Sequence, residues 1–245
     1  MKFLVCIKQV PDVSGSLQTG RMVLNAYDAS AVEAALVLSE GTENDIHLVL
    51  LGPASARETI RKALAMGADS ATHLVTSDNA ELNSSAVALI LATFVRSGKY
   101  DIIACGKQSQ DTDAGLTGGM LAEHLGIPFV TNAVGLELRK ENSESRLIVT
   151  RQGDSGQEII ELPAPCLVTC SNDMNDPRIP SLKGIMQAKK KEIVSSPVAD
   201  AVRSDTLVLA VEDPPSRAPA RILDGKLEDQ VTELVRVLEE ESGVL

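Results

Sequence analysis

The texture of the apolar runs constrains this chain more than any motif. FLVCIKQV (residues 3–10), IHLVLLG (46–52) and YDIIACG (100–106) are short and almost continuously apolar, and THLVTS (72–77) is a shorter run of the same kind. None shows the strict in–out alternation of a half-exposed strand. Helical stretches lie between them: 28–41 with Asp28 or Ser30 near its start and Gly41 past its end, 54–66 stopped by Gly67, and 83–96. Strands apolar on both sides need helices on both faces, so the order predicts a parallel sheet joined by right-handed crossovers. In such sheets ligands bind beyond the carboxyl ends of the strands. The loops after Val10, Leu51, Ser77 and Cys105 are therefore the ones to watch.

After Val130 the pattern changes. LIVTRQ (147–152) and QEIIEL (157–162) flank GDSG and read as a hairpin at the sheet edge, and APCLVTC (164–170) returns to a buried strand. Residues 171–201 lack strong periodicity, carry Pro177, Pro180 and Pro197, and read as an extended arm with a short helix over 182–190. A strand over 207–211 and an amphipathic helix over 227–241 follow. This divides the chain into a nucleotide-binding α/β core with its hairpin (1–170) and a C-terminal arm (171–245).

Composition excludes several classes. Thirty-four acidic against 23 basic residues leave a formal charge of −11, which disfavours wrapping a nucleic-acid backbone. With an aromatic share of 2% and no Trp, Ala, Val, Leu and Ile must fill the core, and little is available to stack on bases. The apolar run 3–7 ends at Lys8, too short for a signal peptide, and the longest apolar stretch, 86–95, falls short of the ~18 residues of a membrane span. A cytoplasmic or organelle-matrix location is expected. Cys6, Cys105, Cys166 and Cys170 have no CxxC spacing and suit buried thiols better than a metal site. His47, His73 and His124 lie far apart in the pattern, and no catalytic triad is visible.

GKQSQDTDAGLTGG (106–119) leads from a strand into a helix, where free N–H groups and the helix dipole favour an anion. It matches neither GxGxxG nor GxxxxGK[ST]. Asp111 and Asp113 suit helix capping better than Mg²⁺ ligation. The cations and carboxylates of GPASARETIRKALAMGAD (52–69) suit a solvated helix face, and LKGIMQAKKK (182–191) reads as a linker helix or a partner-docking arm.

VCIKQVPD at the start, GPASARETIRKALAMGAD, GKQSQDTDAGLTGGM, VTRQGDSGQEIIELPAPCLVTC, NDPRIPSLKGIMQAKKKEI and VEDPPSR (211–217) occur in that order. Together they resemble the beta subunit of electron transfer flavoprotein. The resemblance implies a Rossmann-like, adenine-nucleotide alpha-hydrolase-like domain without a catalytic acid or base of its own. It also implies a heterodimer with an alpha subunit that holds most of an FAD. Electrons would pass from flavin dehydrogenases to an acceptor such as a quinone oxidoreductase. It places a structural AMP against Cys6, Asn25, Ala26, Tyr27, Asp28, Leu51 and the loop Gly106, Lys107, Gln108, Asp111, Asp113, Ala114, Gly115, Leu116 and Thr117, with Thr117 and the amides near Gly115 on the phosphate. Tyr27 would lie toward the flavin, whereas the position near Val13 lacks the Tyr common in the family. Docking of the dehydrogenase falls to Ile179, Leu182, Ile185 and Met186, with Leu182 as anchor. Two alternatives stay open: an electron-bifurcating type with a second FAD in place of AMP, and a stand-alone nucleotide-binding stress or signalling domain. A nucleotide hydrolase using Asp111 and Asp113 with Mg²⁺ is a further rival.

Overall fold

The computed structural model describes residues 1–12, 20–77, 82–141, 144–198, 204–206, 209–210, 219–241 and 243. The position near Val13, the VEDPPSR stretch and, apart from Leu209 and Ala210, the strand expected over 207–211 lie outside them. The chain opens with β1 (Lys2–Ile7), a two-stranded ribbon of β2 (Gln9–Pro11) and β3 (Met22–Leu24), and helix α1 (Ala26–Ser39). Next come β4 (Asp45–Gly52), α2 (Arg57–Met66), β5 (Ser70–Val75), α3 (Ser84–Arg96), β6 (Ile102–Gly106) and α4 (Thr117–Leu125). The second half supplies β7 (Phe129–Glu141), β8 (Glu144–Gly153), β9 (Gly156–Pro163), β10 (Cys166–Cys170), α5 (Leu182–Lys190), β11 (Ile193–Pro197) and α6 (Leu227–Glu240).

Nine strands form one sheet in the order β11-β5-β4-β1-β6-β10-β7-β8-β9. The run from β11 to β7 is parallel, and β8 and β9 continue it antiparallel as the expected edge hairpin. Both faces are covered. Phe3, Val5 and Ile7 point with Leu48 and Leu50 toward Ala31, Val32 and Ala35 of α1 and Ile60 and Leu64 of α2. Leu4 and Cys6 point with Val49 and Ile103 toward Ala88, Leu91 and Ala92 of α3 and Leu121 and Ala122 of α4. Phe3 is the one aromatic residue among the buried hydrophobics described, so small aliphatic side chains do fill this core. All four cysteines are buried and unpaired.

Two regions differ from expectation. The change of texture after Val130 is a 13-residue strand, β7, whose left-handed Asn132 (φ +60°) and register shift near Ala133 break the alternation that would reveal it. The arm carries a strand as well as its helix: β11 adds to the edge beside β5, with Ile193 opposite Ala71. The first compact unit runs from Met1 to Leu207. The second unit, Val208–Leu245, contains α6, along which Leu227, Val231, Leu234 and Val235 form an exposed apolar stripe. No helix among the described residues is long and apolar enough to cross a membrane.

Candidate functional site

Strand order locates the site. From β1 the chain moves outward through β4 and β5, then returns to the other side of β1 as β6. Connections therefore leave the carboxyl ends of β1 and β6 in opposite directions and open a crevice there, the switch point at which open α/β sheets bind ligands.

Short polar contacts build the walls of this crevice. Asp28, in the first turn of α1, accepts Lys8 N–H at 2.7 Å through Oδ2 and Gly106 N–H at 2.9 Å through Oδ1, tying the ends of β1 and β6 to one carboxylate. Asn25, immediately before α1, donates from Nδ2 to the Gln108 carbonyl at 2.8 Å and accepts Gln110 N–H through Oδ1 at 3.2 Å. Both side chains are buried. Burial pushes the Asp28 carboxyl up to about 7, against the lowering effect of its hydrogen bonds from Lys8, Asn25 and Gly106 and of the Lys8 charge. The same burial, with the Asp28 charge adding to it, pushes the Cys6 thiol up to about 12. Cys6 is thus an uncharged wall of the crevice, in register with Cys105 on the neighbouring strand.

The loop after β6 lies across the top. Lys8 Nζ reaches Asp111 and Ser109 Oγ at 2.8 and 3.1 Å, and Gln108 Nε2 donates to Asp113 Oδ1 at 2.9 Å. Burial alone would raise the Asp111 carboxyl; hydrogen bonds from Lys8 and Ser109, with the Lys8 charge, hold it below its usual range. This corrects the expectation that Asp111 and Asp113 cap the next helix. Leu116, the residue before α4, makes no side-chain capping bond, because one carboxylate is drawn to the Lys8 cation and the other to an amide of its own loop. Among the described residues no side chain therefore caps the first-turn N–H groups of α4. Asp113 (φ +50°) and Gly115 (φ +63°) turn the loop back toward it. Gly118 lets α4 approach the sheet: a Cβ there would stand 2.5 Å from Thr169 Cγ2 and 3.0 Å from Cys105 Sγ.

Cys6, Asn25, Ala26, Tyr27, Asp28, Gly106, Lys107, Gln108, Asp111, Asp113, Ala114, Gly115, Leu116 and Thr117 all belong to this end of the β1–β6 pair or its loop, and Leu51 lies at the same end of neighbouring β4. Residues 111–116 are exposed, while Asn25 and Asp28 lie beneath as braces. Sequence reading missed Lys8, and it took Ser109 and Gln110 only as part of the segment 106–117, without their contacts to Lys8 and Asn25. Lys8 carried a signal, a lone cation directly after the central strand, but its partner Asp111 lies 103 positions away. Among the described residues no group of His, Cys, Asp or Glu is arranged to hold a metal ion.

A second exposed feature lies on α5 and the segment leading into it. Ile179, Leu182, Ile185 and Met186 are all exposed, with Leu182 at 75% and Ile179 at 92%. Ser181 caps the helix by accepting Gly184 N–H at 3.1 Å. Leu182 and Met186 line a shallow groove with Lys183, Gln187 and Lys190.

These features define a class: a doubly wound α/β domain with an anion-ready helix N-terminus at its switch point. Comparison with known proteins narrows it. Residues 16–201 match the electron transfer flavoprotein domain family. The chain is 38% identical to an electron transfer flavoprotein subunit beta of Bradyrhizobium diazoefficiens across the whole of both chains. It is 33% identical to one of Thermoanaerobacterium thermosaccharolyticum, covering 97% of this chain and 98% of that one. It is also 34% identical to subunit CarD of the caffeyl-CoA reductase-Etf complex of Acetobacterium woodii, covering 94% and 95%. The chain belongs to the electron transfer flavoprotein family, among its beta subunits. Such subunits are electron carriers that pair with an alpha subunit.

Proposed function

We propose that this chain is the beta subunit of a heterodimeric carrier that takes electrons from flavin dehydrogenases and delivers them to an acceptor such as a quinone oxidoreductase. FAD is held mainly by the alpha subunit and AMP by this chain. The observation that carries the reading is the crevice at the ends of β1 and β6, where an α4 N-terminus without a side-chain cap faces a loop braced by Asn25 and Lys8. The residues present suit an adenine nucleotide. Thr117 and the amides from Gly115 onward receive the phosphate, uncharged Cys6 and Leu51 give an apolar wall, and Asn25 and Asp28 hold the frame. None of them has to act as an acid or base, as befits a carrier. The apolar stripe of α6 fits a segment completed by the alpha subunit, since an amphipathic helix with no buried residue needs a partner surface.

The CarD relative, named for a reductase complex, favours a second reading: a bifurcating complex with a second FAD where AMP would sit. One assay tests both. Acid release of small molecules from the purified complex is expected to give one FAD and one AMP per heterodimer. Two FAD without AMP selects the second reading, and no flavin with no second subunit removes both in favour of a stand-alone nucleotide-binding domain.

Docking of the dehydrogenase is assigned to α5 with Leu182 as anchor. Burying one large aliphatic side chain contributes roughly 1.5–3 kcal/mol. Leu182→Ala is accordingly expected to leave the flavin content intact and to slow reduction at subsaturating donor by about tenfold or more. An unchanged rate withdraws the docking role.

A further inference from the structure

The segment leading into α5 is fastened to α1. Asn175 Nδ2 donates to the Ser30 carbonyl at 3.1 Å, and Arg178 N–H donates to Glu33 Oε2 at 3.0 Å. The Arg178 guanidinium spans the same carboxylate, with Nε 2.8 Å from Oε2 and Nη2 2.8 Å from Oε1, and Nη2 also reaches Glu40 at 3.0 Å. Glu33 is 6% exposed, and a buried carboxylate is tolerable only when paired. Burial raises its carboxyl, but the bonds and charge of Arg178 hold it below the usual range. The far end of α5 has separate fastenings. Arg61 donates to the Ala188 and Lys191 carbonyls and Lys191 Nζ to that of Ala68; in the first turn Gly184 also packs closely on α2, where a Cβ would stand 2.6 Å from the Ala65 carbonyl oxygen, but this contact leaves the path of residues 175–181 to Arg178.

The geometry points to Arg178 as the positioning residue of the docking helix: seated on Glu33 and Glu40, it fixes the path of residues 175–181 and so aims Leu182, the first residue of α5, before any partner arrives. This rests on the docking reading above and adds to it. Ordering a loose segment costs conformational entropy at every residue fixed, and a segment ordered in advance avoids that cost on binding. The arm can then hold a partner through few contacts and still release it. A two-headed fork on a buried carboxylate suits this better than a lysine, because it fixes direction as well as distance.

The test uses the heterodimer with both cofactors, and as probe the flavin dehydrogenase purified from the same cells and reduced with its own substrate. Arg178→Ala is expected to raise KM for the reduced dehydrogenase roughly tenfold. The kcat at saturating donor and the flavin and adenine-nucleotide contents should not change, while amide hydrogen exchange over residues 179–186 speeds up. Arg178→Lys should recover part of the KM. Should Arg178→Ala fail to fold, Glu33→Gln with Arg178→Met removes the pair without leaving a buried charge, and the same KM rise is expected. If these variants leave KM unchanged while Leu182→Ala raises it, the positioning role is overturned and the docking reading stands. If Leu182→Ala also has no effect, the docking reading itself fails. Loss of flavin or nucleotide together with the KM rise would make the strap a general fold element and likewise overturn the proposal.

Discussion

Gly106→Ala is expected to destabilise the complex by about 3 kcal/mol, or roughly 6–12 °C in Tm for a domain of this size, and to lower its nucleotide content. Gly106 ends β6 under the first turn of α1, where an added Cβ would press into Asp28 Oδ1 and stand 2.6 Å from Tyr27 Cβ and 2.9 Å from the Tyr27 carbonyl carbon. Neither neighbour can yield cheaply. Asp28 holds Lys8 and Gly106 N–H through its two oxygens, and Tyr27 is helix backbone. The methyl group must push α1 away from β6, which stretches the Gly106–Asp28 bond and moves Asn25 off the loop it braces. Gly126→Ala provides the comparison. That glycine follows α4 with φ +66° and would meet nothing within 4 Å, so only the left-handed backbone opposes the change and the cost is about 1 kcal/mol. Melting curves of the two purified variants, with nucleotide counted after desalting, decide the matter; equal and small Tm losses would mean that the β1–β6 junction is not the tight point inferred here.

Much of this architecture was legible because both sheet faces are buried. Runs such as FLVCI and IIACG have no polar side on which to alternate, and that fact alone implies helices above and below. β11 was not legible for the opposite reason. At the sheet edge Val194, Ser195, Ser196 and Pro197 are exposed, so IVSSP carries one buried residue and no period. The site was legible in part. The glycines and position of residues 106–119 marked a strand-to-helix turn, but the partners of its polar side chains were out of reach. Asn25 meets residues 83–85 positions away and Lys8 meets Asp111, pairings that exist only once β6 lies beside β1. Asp111 and Asp113 look like caps in sequence because capping is a local rule; tertiary contact to Lys8 and Gln108 overrode it. Asn25 and Asp28 entered through family resemblance, and their roles as braces came only from the fold. The strap from Arg178 to Glu33 spans 145 positions, and no spacing rule pairs them.

The Asp28 carboxyl, 3.8 in an open chain, is pushed up to about 7 in the fold by burial, so the folded state binds the extra proton. A group raised in this way contributes stability that is fully present below the unfolded value and is lost as pH rises through the folded one. Between about pH 4 and pH 7 the wild-type complex should therefore lose stability from this residue, on the order of 4 kcal/mol across the window. His47 and His73 act in the opposite sense. Burial lowers both, so each withdraws stability as pH falls below the usual histidine range. The bare pH profile mixes these groups with others such as Glu33 and Asp111, whose lowered carboxyls withdraw stability at the acid end, and a variant must separate Asp28 from them. Asp28→Asn keeps the shape but not the titration, and it turns an NH₂ toward either Lys8 or Gly106 N–H, which costs about 1–3 kcal/mol. The variant should therefore melt well below wild type at pH 5, where the wild-type carboxyl is protonated, and close to it at pH 8, where the wild-type protein bears the buried charge. Measuring the difference in Tm between the two complexes at pH 5 and pH 8 cancels the histidine contributions common to both. A difference that does not change with pH would show that Asp28 stays ionised throughout, with the hydrogen bonds from Lys8 and Gly106 outweighing the cost of its burial.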